Sequence, residues 1–125
     1  MQSNIFREYD IRGVVGKDLL LNEVYDLAKA VATSVIKENP GISLFVVGRD
    51  GRVHSKDISS SVINAISDMG FDVVDIGMVP TPVLYFATHF FNTQAAITIT
   101  ASHNPKEYNG LKIWGIWGEK IQEIK

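Results

Sequence analysis

The chain has 125 residues, a formal net charge of −2 and a hydrophobic content of 46%, which fits one ordinary globular domain. Its charge is nearly balanced, and it has no cluster of lysine and arginine on the scale that nucleic-acid binding requires. It contains no cysteine, which excludes disulfides, thiolate metal sites and cysteine nucleophiles.

The start of the chain resembles neither a secretory leader nor a membrane anchor. Residues 1–4 lead directly into charged Arg7, Glu8 and Asp10, without an apolar stretch. The longest apolar runs further along are short and interrupted by proline or glycine, so we expect no membrane span. These features favour a cytoplasmic protein.

The first long periodic segment predicts an amphipathic helix. Apolar residues recur at helical spacing at Val24, Leu27, Ala28, Val31, Ala32, Val35 and Ile36. Asn22 suits the N-cap, and Asn39-Pro40-Gly41 ends the helix. Residues 43–47 then form a short continuous apolar run, which is typical of a buried parallel strand.

A second helix and a second strand follow. The helix has Ile58, Val62, Ala65, Ile66 and Met69 at helical spacing. Ser55 suits its N-cap and Gly70 its C′ position, and residues 71–76 are predicted to form the strand. Thr81-Pro82 then predicts an N-cap followed by a first-turn proline. Residues 83–91 complete this short apolar helix, and we expect its aromatic residues in the core.

The end of the chain completes the sheet. Residues 95–100 and 111–114 are predicted strands, and the loop between them lacks a crossover helix, so they should pair antiparallel. Strands alternating with helices indicate an α/β fold, with a mixed, mostly parallel sheet of about four strands and helices on both faces. We expect one domain over residues 1–117. Residues 118–125 look like the start of a further helix, the truncated beginning of a connection to another domain.

Polar residues follow each of the first three predicted strands, at residues 48–52, 77–82 and 101–110. Open α/β sheets bind ligands outside the carboxyl ends of their parallel strands. We therefore expect these segments to converge on one edge of the sheet.

The most informative segment is residues 100–112, T-A-S-H-N-P-K-E-Y-N-G-L-K. Ser102, on a tight turn after a strand, is well placed to act as a nucleophile, and Lys112 could supply positive charge for a phosphoryl group. Asn109-Gly110 permits the positive φ that returns the chain into the next strand. On local chemistry alone, the same residues also suit an ordinary polar turn.

Two other chemistries are disfavoured. Ser102 and His103 are sequence neighbours, which does not make a nucleophile–base pair, and the chain lacks the G-x-S-x-G elbow of hydrolases. His54 and His89 have no partners at metal-ligand spacing. The segment G-R-D-G-R at residues 48–52 could cradle phosphate, but by itself it also fits a structural turn.

Four blocks of this sequence, in the same order, resemble the motifs of the α-D-phosphohexomutase family. They are F-R-E-Y-D-I-R-G at residues 6–13, G-R-D-G-R at 48–52, G-M-V-P-T-P-V-L-Y at 77–85 and the segment at 100–112. Together they span nearly the whole chain. The bacterial phosphomannomutase/phosphoglucomutase branch is the most similar.

The resemblance implies a role for each matching residue. Ser102 would carry the phosphoryl group, and its phosphate oxygen would contact Mg²⁺. Lys112 and Arg12 would lie beside that phosphate, while His103 and Tyr9 would line the same pocket.

The resemblance also implies residues that support the loop, namely Arg49, Asp50, Arg52, Asn104 and Asn109. The expected substrate is a hexose phosphate, interconverted between its 1- and 6-phosphates through phosphoserine and a hexose 1,6-bisphosphate, which also acts as activator.

The chain departs from the family pattern in length. Family members are several times longer, and their Asp-rich metal loop, sugar-discriminating loop and C-terminal phosphate-binding loop lie in further domains. No D-G-D-type cluster occurs in these 125 residues, and one serine phosphate cannot hold Mg²⁺ alone. We therefore expect the missing C-terminal domains as partners. The alternative is a non-catalytic phosphosugar-binding or interaction module derived from the same domain.

Overall fold

The computed structural model describes residues 9–17, 19–38, 40–91, 93, 95–100, 107–117 and 120–122. The strands are Tyr9–Val14 (β1), Leu44–Arg49 (β2), Asp72–Met78 (β3), Ala95–Ile99 (β4), Tyr108–Trp117 (β5) and Lys120–Gln122 (β6). The helices are Val24–Glu38 (α1), Ser55–Asp68 (α2) and Thr81–Phe90 (α3), and a 3₁₀ turn at Leu21–Glu23 precedes α1. None of the helices described here is long and apolar enough to cross a bilayer.

The strands form one mixed sheet in the order β1-β5-β4-β2-β3, with β6 paired to β5. β2 runs parallel to both β3 and β4, whereas β5 is antiparallel to β4 and to β1. This confirms the predicted mixed sheet and the antiparallel pairing of its last two predicted strands. The sheet has six strands rather than about four, because β1 and β6 were not predicted.

The order of the strands explains why helices cover both faces. The chain moves one way across the sheet from β1 through β2 to β3, and then back past β2 to β4. Parallel crossovers are right-handed, so a reversal of direction places the connecting helices on opposite faces. Accordingly, α1 and α2 pack with Phe45 and Val47 of β2, while α3 packs with Val46.

The central strands are buried on both faces, as the continuous apolar run of residues 43–47 predicted for β2. Phe45, Val46 and Val47 of β2 are fully buried, and every residue of β4 is buried. Full burial of a Val, Ile or Phe side chain contributes about 1.5–3 kcal/mol. These two strands therefore anchor the sheet whose carboxyl ends carry the polar motifs.

The three helices do not begin where the predicted N-caps place them. The 3₁₀ turn contains Asn22, so α1 begins only at Val24. His54 is the N-cap of α2 and Pro80 that of α3, and neither makes a side-chain capping bond. The prediction for Ser55 was wrong: Ser55 is the first residue of the helix, and its oxygen accepts a bond from Nδ2 of Asn109 and not from the helix backbone.

The predicted C-terminus of α2 is confirmed. Gly70 has φ +94°, and its N–H donates to the carbonyl of Ser67 over 2.9 Å. The N–H of Phe71 donates to the carbonyl of Ile66 over 3.3 Å. This pair of bonds is a Schellman motif, which requires the positive φ that glycine adopts readily.

Two predictions about apolar segments were wrong. Lys120–Gln122 is a strand, not the start of a helix, because β5 extends beyond its pairing with β1 and offers Gly115–Trp117 as a partner. On α3, Phe86 and Phe90 are 64% and 71% exposed. Most residues of α3 are apolar, and the helix directs Leu84 and Ala87 toward the sheet instead.

β3 forms one edge of the sheet and contains a bulge. Val47 of β2 lies opposite Asp75, and the next residue of β2 lies opposite Gly77, so Ile76 is an extra residue on β3. Gly77 has φ +78°, and its N–H donates to Oδ1 of Asp75 over 2.9 Å.

Candidate functional site

The carboxyl ends of the parallel strands are joined by backbone hydrogen bonds. The N–H of Asp50, just after β2, donates to the carbonyl of Ile99 at the end of β4 over 3.0 Å. The N–H of Val79, just after β3, donates to the carbonyl of Arg49 over 3.1 Å. The described residues of the polar segments thus meet at one edge of the sheet.

Asp50 is the centre of a polar cluster at this edge. Its Oδ1 accepts bonds from the backbone N–H of Arg52 over 3.1 Å and from the hydroxyl of Ser55 over 2.6 Å. Its Oδ2 accepts a bond from Nε of Arg52 over 3.1 Å. Both oxygens of the carboxylate are therefore engaged within its own loop and the first turn of α2.

The cluster extends to the beginning of β5. One guanidinium nitrogen of Arg52 donates to the backbone carbonyl of Tyr108 over 3.1 Å. Nδ2 of Asn109 donates to Oγ of Ser55 over 2.9 Å, and the N–H of Gly110 donates to Oδ1 of Asn109 over 2.9 Å. Ser55 and Asn109 are each 1% exposed. The loop after β2, the start of α2 and the start of β5 thus form one connected unit.

The same unit flanks residues 101–106. The N–H of Thr100 donates to the carbonyl of Gly110 over 3.0 Å, so the two sides of this segment are held together at its base. The backbone of Arg12 lies opposite Gly110, and Lys112 lies between Asp10 of β1 and Thr98 of β4. The strands that carry these two cations are therefore adjacent, next to the segment that contains Ser102.

Several predicted site residues lie outside the described part of the molecule. Ser102, His103 and Asn104 belong to residues 101–106, and the side chains of Tyr9 and Arg12 are likewise outside it. The side chain of Lys112 is described and is partly buried.

Arg49 lies on the opposite side of the cluster from β5. Its guanidinium forms an ion pair with Asp75 of β3 over 3.8 Å, with side chains 23% and 47% exposed. At this exposure the pair contributes at most about 1 kcal/mol. Arg49 thus contacts the edge strand, whereas Asp50 and Arg52 contact the flanks of residues 101–106.

The described residues do not fit a complete metal site. They include no group of three or more His, Cys, Asp or Glu side chains that could hold a metal ion. Hard cations such as Mg²⁺ require several oxygen ligands, and Asp50 already uses both carboxylate oxygens in hydrogen bonds.

The role of Ser55 in this cluster was not predicted from the sequence. A serine just before an apolar periodic segment has the pattern of an ordinary N-cap, and no local signal connects it to Asn109, 54 residues later. The contact between Arg52 and the carbonyl of Tyr108 was not predicted either, because every residue has a backbone carbonyl and the sequence does not indicate which one accepts a bond.

Comparison with known proteins identifies the fold. The profile of "phosphoglucomutase/phosphomannomutase, alpha/beta/alpha domain I" matches residues 3–124. The phosphomannomutase/phosphoglucomutase of Pseudomonas aeruginosa is 41% identical over 90% of this chain and 24% of its own length. The phosphoglucomutase of Neisseria gonorrhoeae is 38% identical over 97% of this chain and 27% of its own.

A solved structure agrees with these sequence matches. The crystal structure of a phosphoglucomutase/phosphomannomutase family protein from Burkholderia thailandensis superposes with a TM-score of 0.73 and 37% identity, covering 90% of this chain and 26% of its own. The chain spans about a quarter of the length of the curated relatives it matches. Its four motif blocks, its mixed sheet and these matches agree: the chain belongs to the phosphoglucomutase/phosphomannomutase family, in which it corresponds to domain I.

Proposed function

We propose that this chain is the nucleophile-bearing domain of a phosphohexomutase that interconverts hexose 1-phosphate and hexose 6-phosphate through a phosphoserine at Ser102. The observation that carries the proposal is the polar cluster around Asp50, which fixes both flanks of the segment containing Ser102 at the carboxyl edge of the sheet. The names of the relatives, phosphomannomutase/phosphoglucomutase and phosphoglucomutase, support the substrate class.

The proposed chemistry is two successive phosphoryl transfers, the first from the serine to the sugar and the second from the sugar back to the serine. A hydroxyl oxygen of the hexose phosphate attacks the phosphorus of phosphoserine 102, and the bond from phosphorus to the serine oxygen breaks. The proton of the sugar hydroxyl is released as the serine oxygen is protonated, giving hexose 1,6-bisphosphate and free Ser102. After the bisphosphate reorients, the hydroxyl oxygen of Ser102 attacks its other phosphorus, and the bond from that phosphorus to the sugar oxygen breaks. The serine proton is released as that sugar oxygen is protonated, and the isomeric monophosphate leaves. Serine is thereby phosphorylated again, and no phosphate is lost.

Two cations of this domain would stabilise the transferring group. Lys112 and Arg12 lie on adjacent strands, β5 and β1, beside the flank of residues 101–106. Phosphoryl transfer depends mainly on positioning and on cationic stabilisation of the equatorial oxygens. His103 and Tyr9 complete the proposed pocket, and Asn104 with Asn109 supports the loop.

Mg²⁺ is part of the proposal, although the described residues supply no complete ligand set. When bound, it would offset the charge of the transferring phosphoryl group. The phosphate oxygen on Ser102 would be the ligand from this domain, and the other ligands would come from the rest of a full-length enzyme. That enzyme, with its further domains and a cytoplasmic location, belongs to the same proposal.

Labelling tests the assignment of Ser102. The full-length enzyme that contains this domain is incubated with glucose 1,6-bisphosphate and Mg²⁺ and its intact mass is measured. We expect one added phosphate on the wild type and none on Ser102→Ala. A label retained in Ser102→Ala would show that another residue is the nucleophile. A protein that binds hexose phosphate but shows neither the label nor turnover would instead be the non-catalytic module. A natural reading frame that ends after Lys125 would also support that alternative.

A further inference from the structure

The hydroxyl of Ser55 connects two distant parts of the chain. It lies on the first residue of α2, is almost fully buried, and donates to Oδ1 of Asp50 over 2.6 Å. Its oxygen accepts the bond from Nδ2 of Asn109 over 2.9 Å. One side chain therefore joins the loop after β2 to the start of β5.

The direction of each hydrogen bond in this series follows from the bond between Ser55 and Asp50. A carboxylate can only accept, so Ser55 must donate to Asp50, and the serine oxygen is left as an acceptor. Asn109 must then present its NH₂ group to Ser55, which turns its carbonyl oxygen toward the N–H of Gly110. Each group thus has a single orientation, and the bond to the charged carboxylate strengthens the series.

Asn109 and Gly110 stand where the chain returns from residues 101–106. The carbonyl of Gly110 accepts the bond from Thr100, the residue that precedes that segment. Arg52, held by the same carboxylate of Asp50, binds the carbonyl of Tyr108. The relative position of the two flanks therefore depends on the series of bonds from Asp50 through Ser55 to Asn109.

We infer that Ser55 is a positioning residue for phosphoryl transfer, orienting Asn109 and thereby fixing the flanks of the segment that carries Ser102. This inference rests on the proposed function. Ser55 acts through Asn109 and lies on none of the strands that carry the proposed cations. Because a displacement of about 1 Å in a reacting group can reduce the rate by ~10²-fold, we expect its loss to affect the chemical step.

The test compares two serines of the same helix in the full-length enzyme. Ser59 is 2% exposed and lies one turn after Ser55, and its hydroxyl has no hydrogen-bond partner within the described structure. Ser55→Ala should lower kcat by about 10–100-fold, with KM within about threefold of the wild-type value, because substrate binding in the ground state is retained. Ser59→Ala should have the kcat of the wild type. Rates are measured well below the melting temperature of each variant.

A second measurement separates positioning from general destabilisation. Asn109→Ala interrupts the same series of bonds from the β5 side and should lower kcat by a similar factor. The double variant should be no slower than the slower single variant, since the two substitutions remove one shared effect. If Ser55→Ala does not fold, the kcat and KM of Asn109→Ala against Ser59→Ala provide the same comparison.

The possible outcomes are distinct. Equal kcat values for Ser55→Ala and Ser59→Ala, or losses that multiply in the double variant, would overturn the inference. A wild-type enzyme without turnover dependent on Ser102 would refute the proposed function, and the inference with it. A selective loss of kcat in Ser55→Ala, without further loss in the double variant, is the result expected.

Discussion

Replacing Ser59 by alanine should make this domain more stable. The Ser59 hydroxyl is buried on α2 without a hydrogen-bond partner in the described structure. An unsatisfied buried polar group costs about 1–3 kcal/mol, and alanine adds up to ~0.7 kcal/mol of helix propensity. The one-atom void left behind costs less than about 1 kcal/mol. The net expectation is a gain of roughly 0.5–2 kcal/mol in the free energy of unfolding.

Thermal and urea unfolding of the two serine variants provide the assay. For a domain of this size, 1 kcal/mol corresponds to a shift of about 4 °C in Tm, so Ser59→Ala should melt some 2–8 °C above the wild type. Ser55→Ala is the matched control. It loses its bonds to Asp50 and Asn109 and leaves the buried Nδ2 of Asn109 without this partner, at a cost of about 1–3 kcal/mol.

A Ser59→Ala variant that melted below the wild type would contradict this prediction. That result would mean that the hydroxyl makes a bond in solution that the structure does not contain. An equal loss of stability in both variants would similarly show that hydrogen bonding does not distinguish the two serines.

Three further predictions concern catalysis and independent folding. In the full-length enzyme, Arg12→Ala and Lys112→Ala should each lower turnover by at least ~10-fold, because each removes positive charge beside the proposed transferring phosphate. Near-wild-type steady-state rates in both variants would show that other cations stabilise that phosphate. The chain of 125 residues by itself should melt cooperatively, since α1 and α2 cover one apolar face of the sheet. With glucose 1-phosphate, Mg²⁺ and glucose 1,6-bisphosphate it should show no mutase turnover, because the rest of the metal site is not among its described residues. Sustained turnover by pure chain would mean that it contains a complete active site.

The parts of the fold that the sequence predicts are those specified by local pattern. The buried run of β2 and the apolar faces of α1 and α2 each identify an element without reference to the rest of the chain. β1 has no such signal, since its sequence Y-D-I-R-G-V mixes charged and apolar residues. It becomes a strand by pairing with β5, whose residues follow it by about a hundred positions.

The candidate site divides in the same way. The motif blocks indicate which residue types belong to it, including Asp50, Arg52 and Asn109. Local patterns could not show that the oxygen of Ser55 would accept a bond from Asn109 and not from the helix backbone, because a cap and this long-range bond compete for the same acceptor. Because most positions of α3 are apolar, its sequence does not indicate which face is buried. In the structure, Leu84 and Ala87 form the face that packs against the sheet.

The bulge in β3 has a consequence for how the protein behaves among its own copies. An open sheet edge presents unpaired backbone groups on which a strand of another molecule can assemble, and this is a common route to aggregation. On β3 the extra residue Ile76 breaks the regular spacing of those groups, and Asp72 and Asp75 are exposed on the same short strand. An incoming strand would lose its register at Gly77 and meet the exposed carboxylate of Asp72 and the Arg49–Asp75 ion pair. The bulge therefore protects the domain from forming intermolecular β-sheet at the edge where β3 is the last of the described strands.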